Sequence, residues 1–161
     1  PLAVVDSARA LLPEGPAYVA LSPGAGGRHK CWPLENYLEL GRRLNAQGRV
    51  PVYLLGPGEG EWVAACRAVP GAILPLQHAG EVSPALTIAL AQRCQAAVAN
   101  DSGGGHMLAA GDVPLVSLFG PTDPAKFAPA ARALAILRAQ DFGCDGMDAI
   151  PLDAVARALE F

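Results

Sequence analysis

The chain has 161 residues, enough for one domain with a sizeable core. Hydrophobic residues make up 52% and charged residues 17%, with a net charge of −3, which argues against an electrostatic nucleic-acid binder. No stretch is long and apolar enough to span a bilayer, and the start, Pro1-Leu2-Ala3-Val4-Val5-Asp6, lacks the basic region of a signal peptide.

Residues 1–16 read as a connecting segment, with Val4, Val5, Ala8 and Leu11 at helical spacing, and 17–161 as the domain; the missing initiator Met suggests a processed or excised piece. Tyr18-Val19-Ala20-Leu21 predicts a strand, ended by Ser22-Pro23-Gly24. Residues 34–47 predict a helix, with Pro33 before it and Gly48 after. A strand over 50–55 closes at Gly56-Pro57-Gly58, and a helix over 59–68 carries acidic residues in its first turn, where the dipole favours them. A short strand is expected at 72–75 and a helix at 82–93 with Ser83 as cap. The run Ala96-Ala97-Val98-Ala99-Asn100 reads as a buried strand. A short helix over 105–110, strands over 113–119 and 133–137, and a closing helix over 151–159 complete the series.

Strands alternating with helices predict an α/β fold: a Rossmann-like, three-layer sandwich with a parallel sheet. Ligands in such sheets bind at the carboxyl ends of the strands. Four glycine-rich turns fall there: Gly24–Gly27, Gly56–Gly60, Gly103–Gly105 and Gly120-Pro121-Thr122. The richest is Asp101-Ser102-Gly103-Gly104-Gly105-His106, between a strand and a helix. Free N–H groups at a helix start form an anion site, so a phosphate, as part of a nucleotide, is the expected ligand.

Standard motifs fit poorly. Gly24-Ala25-Gly26-Gly27-Arg28-His29-Lys30 is followed by Cys31, where a P-loop requires Ser or Thr directly after the lysine. Leu108 breaks the dinucleotide fingerprint, and Asn100 breaks the nucleophile elbow around Ser102. Ser102 reads equally as a helix-capping hydroxyl or a ligand contact. Asp101 taken alone reads as a carboxylate satisfied by backbone N–H groups, and His106 as a core histidine; their order at a strand end shifts both towards function. Glu59 and Glu61 can stabilise a helix start or bind ribose hydroxyls. Trp32 and Trp62 read as packing residues, and His78 as an exposed loop residue. The cysteines at 31, 66, 94 and 144 form no Cys-x-x-Cys pair, so free thiols are expected and a zinc site is not; the three histidines show no metal-ligand spacing.

These pieces together resemble glycosyltransferase family 9, the ADP-heptose:lipopolysaccharide heptosyltransferases. The resemblance runs from Tyr18 to the end and rests on Ser22-Pro23-Gly24-Ala25, Lys30-Cys31-Trp32-Pro33, Leu55-Gly56-Pro57 with Glu59 and Glu61, and Asn100-Asp101-Ser102-Gly103 with His106, Ala109 and Ala110. Leu118-Phe119-Gly120-Pro121-Thr122-Asp123-Pro124 and Met147-Asp148-Ala149-Ile150 extend it. It implies the C-terminal, donor-binding half of a GT-B enzyme, with inverting, metal-independent transfer, no cofactor, and the general base in an N-terminal acceptor domain absent from this chain. It implies that Lys30 meets the donor phosphates, that Asp101, Ser102, Gly103 and His106 surround the diphosphate and sugar, and that Glu59 or Glu61 holds the ribose. Ser22 and Gly24 join them as binding residues. The implied partners are an ADP-sugar donor and a glycan or lipid-linked acceptor. The implied location is the cytoplasm, peripheral to the inner membrane. Gly104-Gly105 stand where the family has bulkier residues, and Cys31 replaces a frequent basic one. A nucleotide-sugar epimerase-like domain and a degenerate scaffold domain are the alternative readings.

Overall fold

The computed structural model describes residues 2–121 and 133–160. Thr122, Asp123 and Pro124, part of the run quoted above, lie outside them. Within the described residues, five parallel strands form one sheet in the order β2-β1-β3-β4-β5. They are β1 (Tyr18–Ser22), β2 (Val50–Tyr53), β3 (Ala96–Asn100), β4 (Leu115–Phe119) and β5 (Leu134–Arg138). The helices are α1 (Leu2–Leu11), α2 (Leu34–Ala46), α3 (Val63–Arg67), α4 (Pro84–Ala91), α5 (Gly103–Ala110) and α6 (Leu152–Ala158).

The three central strands are buried along their whole length, which is why they read as near-continuous apolar runs rather than alternating ones. Alternation survives as a choice of layer. Val19, Leu21, Ala96 and Val98 point into a core with α2, α3 and α6; Tyr18, Ala20, Ala97 and Ala99 point into a second core with α1, α4 and α5. Helix α1 realises the helical spacing of the opening segment, burying Ala8 and packing on α4, with Leu12 buried just beyond it.

Two expected elements come out differently. The helix over 59–68 begins instead as a 3-10 segment, Pro57–Trp62, and becomes α-helical only at α3. Glu59 has non-helical backbone angles (φ −110°, ψ 23°), and its carboxylate turns back to accept from Gly56 N–H at 3.1 Å. The strand at 72–75 shrinks to a single parallel bridge, Val52 to Ile73, because Pro75 opens a 3-10 turn two residues on.

The strand order places the site. The chain steps outward from β1 to β2, then returns to the other side of β1 with β3. Between β1 and β3 the direction of winding reverses, and the loops leaving those strands part to leave a crevice.

Candidate functional site

A cavity of about 350 Å3 occupies that crevice. Ser22, Gly24, Ala25 and Gly26 line it from the end of β1, and Ser102, Gly103 and Gly104 from the end of β3. Gly56, Pro57 and Glu59 close it from β2, and Leu76, Val82, Ser83, Pro84 and Thr87 from the approach to α4. One part is apolar, made by Leu54, Leu76, Val82, Pro84 and Met107. The rest carries hydroxyls, one carboxylate and the start of α5. Its size and mixed lining suit a small molecule with an apolar part and a polar part.

Local sequence explains each wall. Ser102 is the N-cap of α5: its Oγ accepts from Gly105 N–H at 3.3 Å, leaving other first-turn N–H groups directed outward. Gly104 lies against β1, since a Cβ there would fall 2.4 Å from Ser22 Oγ. Gly24 makes the same kind of approach to Glu59, where a Cβ would fall 2.1 Å from Oε1. These glycines let three loops meet around one space.

The structure sorts the expected residues. Ser22, Gly24, Glu59, Ser102 and Gly103 line the cavity. Glu61 does not: it is exposed and ion-paired to Arg28, whose guanidinium stacks 4.3 Å from the centroid of the Trp62 ring. Lys30 also lies off the cavity wall, half-buried in the 3-10 turn Arg28–Lys30 that continues from the Gly24–Gly26 wall. Asp101 is half-buried directly before the cap. His106 is exposed on the first turns of α5, not in the core position that a lone histidine suggested. Of the four glycine turns, three reach the cavity, while Gly120 and Pro121 do not. His78 is exposed and lines a different cavity, between α1 and the 78–83 loop.

The main residue to which sequence reading gave no role in the site is Asn100, the last of β3 and fully buried. Its Oδ1 accepts from Trp32 N–H at 3.0 Å and Tyr37 O–H at 2.9 Å. Its Nδ2 donates to Pro23 O at 2.8 Å and Gly24 O at 3.3 Å. Burial pushes the Tyr37 phenol far above its ordinary range, with Cys31 adding to the effect, so it stays a proton donor to Asn100. Trp32, fully buried as expected of a packing residue, meets Tyr37 edge-on at 5.0 Å and donates to Ile150 O at 2.9 Å. The signal available in the sequence was a polar residue ending an otherwise apolar strand.

The four cysteines are unpaired. Among the described residues, no group of His, Cys, Asp or Glu could hold a metal ion, and no helix is long and apolar enough to cross a membrane.

Comparison with known proteins agrees with this architecture. "Lipooligosaccharide heptosyltransferase 2" of Haemophilus influenzae is 35% identical over 134 residues, 80% of this chain and 38% of that protein. The structure of E. coli ADP-heptose LPS heptosyltransferase II superposes with a TM-score of 0.79 at 24% identity, covering 98% of this chain and 50% of that one. E. coli heptosyltransferase WaaC with ADP gives 0.78 at 22% identity, over 95% of this chain and 48% of that one. The chain thus spans somewhat over a third of its curated relative and about half of each solved structure. The model for glycosyltransferase family 9 (heptosyltransferase) matches residues 5–147, taking in every wall of the cavity, and on that match the chain belongs to glycosyltransferase family 9.

Proposed function

We propose that this chain is the nucleotide-sugar-binding part of a glycosyltransferase that takes an ADP-heptose-like donor and serves transfer to a lipopolysaccharide or related envelope glycan. The observation that carries the reading is the cavity at the β1/β3 switch point, with Glu59 and the N-terminus of α5 on its walls. The apolar part, from Leu54 to Met107, takes the base. The Glu59 carboxylate accepts from the ribose hydroxyls, a role the Arg28 pair denies to Glu61. The diphosphate lies against Ser102, Gly103 and Gly104. The names of the relatives, which are heptosyltransferases, and the ADP in one solved neighbour support the same choice.

The chemistry follows from charge. As the glycosidic bond breaks, the departing nucleoside diphosphate gains negative charge. Donors fixed beside it stabilise the transition state more than the ground state. A helix N-terminus contributes about 0.3–1 kcal/mol when exposed, more when partly buried, so several groups must converge. Lys30 reaches the phosphates from the β1–α2 loop and His106 from α5, while Asp101 positions the donor sugar. The general base and the acceptor site belong to the other half of the GT-B enzyme, and the whole works in the cytoplasm at the inner membrane surface.

The test is a thermal-shift and calorimetric titration with ADP and UDP. ADP at millimolar concentration raises the melting temperature, and Lys30→Ala removes the rise; no shift with any nucleotide overturns the proposal. Incubating the full-length protein with an ADP-sugar and acceptor then separates the rivals. A glycosylated acceptor is the expected product, an isomerised donor would indicate an epimerase, and no turnover with intact binding would indicate a scaffold.

A further inference from the structure

A carboxamide has four hydrogen-bonding positions, two on oxygen and two on nitrogen. Asn100 fills all four with protein partners and is fully buried, so it does not reach a ligand in the cavity. The identity of its partners is informative. Pro23 and Gly24 begin the loop between β1 and α2, and Trp32 ends it. One side chain therefore closes that loop at both ends. The loop carries the Gly24–Gly26 wall and Lys30. The residues that follow Asn100 are Asp101 and the Ser102 cap of α5, so the same position fixes the opposite wall.

Backbone pairing cannot do this. The register of β1 with β3 runs from Val19↔Ala96 to Ser22↔Ala99 and ends there. Beyond it the two chains separate around the cavity, and Asn100 supplies the link at the first position past the ladder.

We propose that Asn100 is a positioning residue for nucleoside-diphosphate binding: it sets the separation between the Lys30 loop and the N-terminus of α5. The inference rests on the nucleotide reading above. Aspartate at this position keeps acceptors for Trp32 N–H and Tyr37 O–H but leaves the carbonyls of Pro23 and Gly24 without donors. Serine is too short to span the two ends.

The test uses N100D, with N100S as a second variant should the first fail to fold, and three readings on each. Backbone amide exchange over residues 24–31 is expected to accelerate about tenfold or more while the interiors of β1 and β3 keep their protection. The dissociation constant for ADP is expected to rise about tenfold or more, the consequence of losing a pair of buried hydrogen bonds. Lys30→Ala, expected to weaken ADP binding by the unmodified chain, is expected to add little in the N100D background, because Asn100 acts through that loop. A folded variant with unchanged exchange and unchanged affinity overturns the proposal. So do independent, multiplying effects of N100D and Lys30→Ala. If the unmodified chain binds no ADP, the nucleotide reading fails and takes the binding role with it. The exchange comparison then still decides whether Asn100 pins the loop.

Discussion

Gly24→Ala tests the ribose role proposed for Glu59 while leaving Glu59 itself in place. A Cβ at position 24 would lie 2.1 Å from Glu59 Oε1, 2.6 Å from Cδ and 3.2 Å from Cγ. Non-bonded heavy atoms settle at about 3.5–4.0 Å, so the carboxylate must retreat by roughly 1 Å or more. The bond from Gly56 N–H to Oε1, now 3.1 Å, is lost with that retreat. Hydrogen bonds to charged groups contribute about 1.5–3 kcal/mol when buried, and Glu59 is half-buried, so about 1 kcal/mol of fold stability is expected to go. For a domain of this size that is roughly a 2–4 °C fall in melting temperature. The larger effect falls on the ligand. On the proposed reading a displaced carboxylate forfeits the bond it would make to the ribose, and about 1.5–3 kcal/mol corresponds to a roughly 10- to 150-fold rise in the dissociation constant. Calorimetric titration with ADP reads that rise. Inorganic pyrophosphate, which has no ribose, serves as the control and should bind as before. If Gly24→Ala binds ADP as tightly as the parent chain, Glu59 does not hold the ribose and the cavity is oriented otherwise.

Further outcomes follow from the same geometry. Glu61→Gln should leave ADP affinity unchanged, because that carboxylate is engaged with Arg28 outside the cavity, whereas Glu59→Gln should lower it; equal effects in the titration would contradict the assignment. Ser102→Ala removes the cap on Gly105 N–H and should cost about 1 kcal/mol in urea unfolding, with ADP affinity falling alongside. Trp32→Phe leaves the Ile150 carbonyl without its donor and should cost about 1–3 kcal/mol by the same method. The thiols give a pH signature. Burial pushes Cys66 up to about 11 and Cys94 up to about 12, the latter partly offset by Arg93, against an ordinary 9.0. Between those values the unfolded chain releases thiol protons that the folded chain retains. Stability from these groups is therefore whole below about pH 9 and lost as pH climbs towards 11–12, which urea midpoints at pH 7, 9 and 10.5 will show. At neutral pH a maleimide should label exposed Cys144 quickly and reach Cys66 only on unfolding.

Much of the architecture was legible because buried parallel strands announce themselves. The run 96–100 and its glycine-rich exit fixed β3 and α5, and the punctuation at Gly24, Gly56 and Gly103 located three of the cavity walls. What was not legible depends on contacts distant in the chain. Helix propensity over 59–68 suggested one helix, but the carboxylate of Glu59 captures Gly56 N–H and holds the first part in a 3-10 form. Ile73 looked like part of a strand, yet the proline two positions on permits only one bridge. Glu59 and Glu61 were equivalent by spacing and became distinct only when Arg28, 33 residues earlier than Glu61, was seen to take one of them. The role of Asn100 was hidden for the same reason, since its partners lie 63 to 77 residues away.

The most direct measurement is an ADP titration of the isotopically labelled chain followed by its backbone amide signals. Loops from both sides of the switch point should respond together, with the largest changes at Ser22 to Gly26, at Glu59 and at Ser102 to Gly104. Changes gathered instead around α1 and residues 78–81, or none at several millimolar ADP, would contradict a nucleotide site at the β1/β3 crevice.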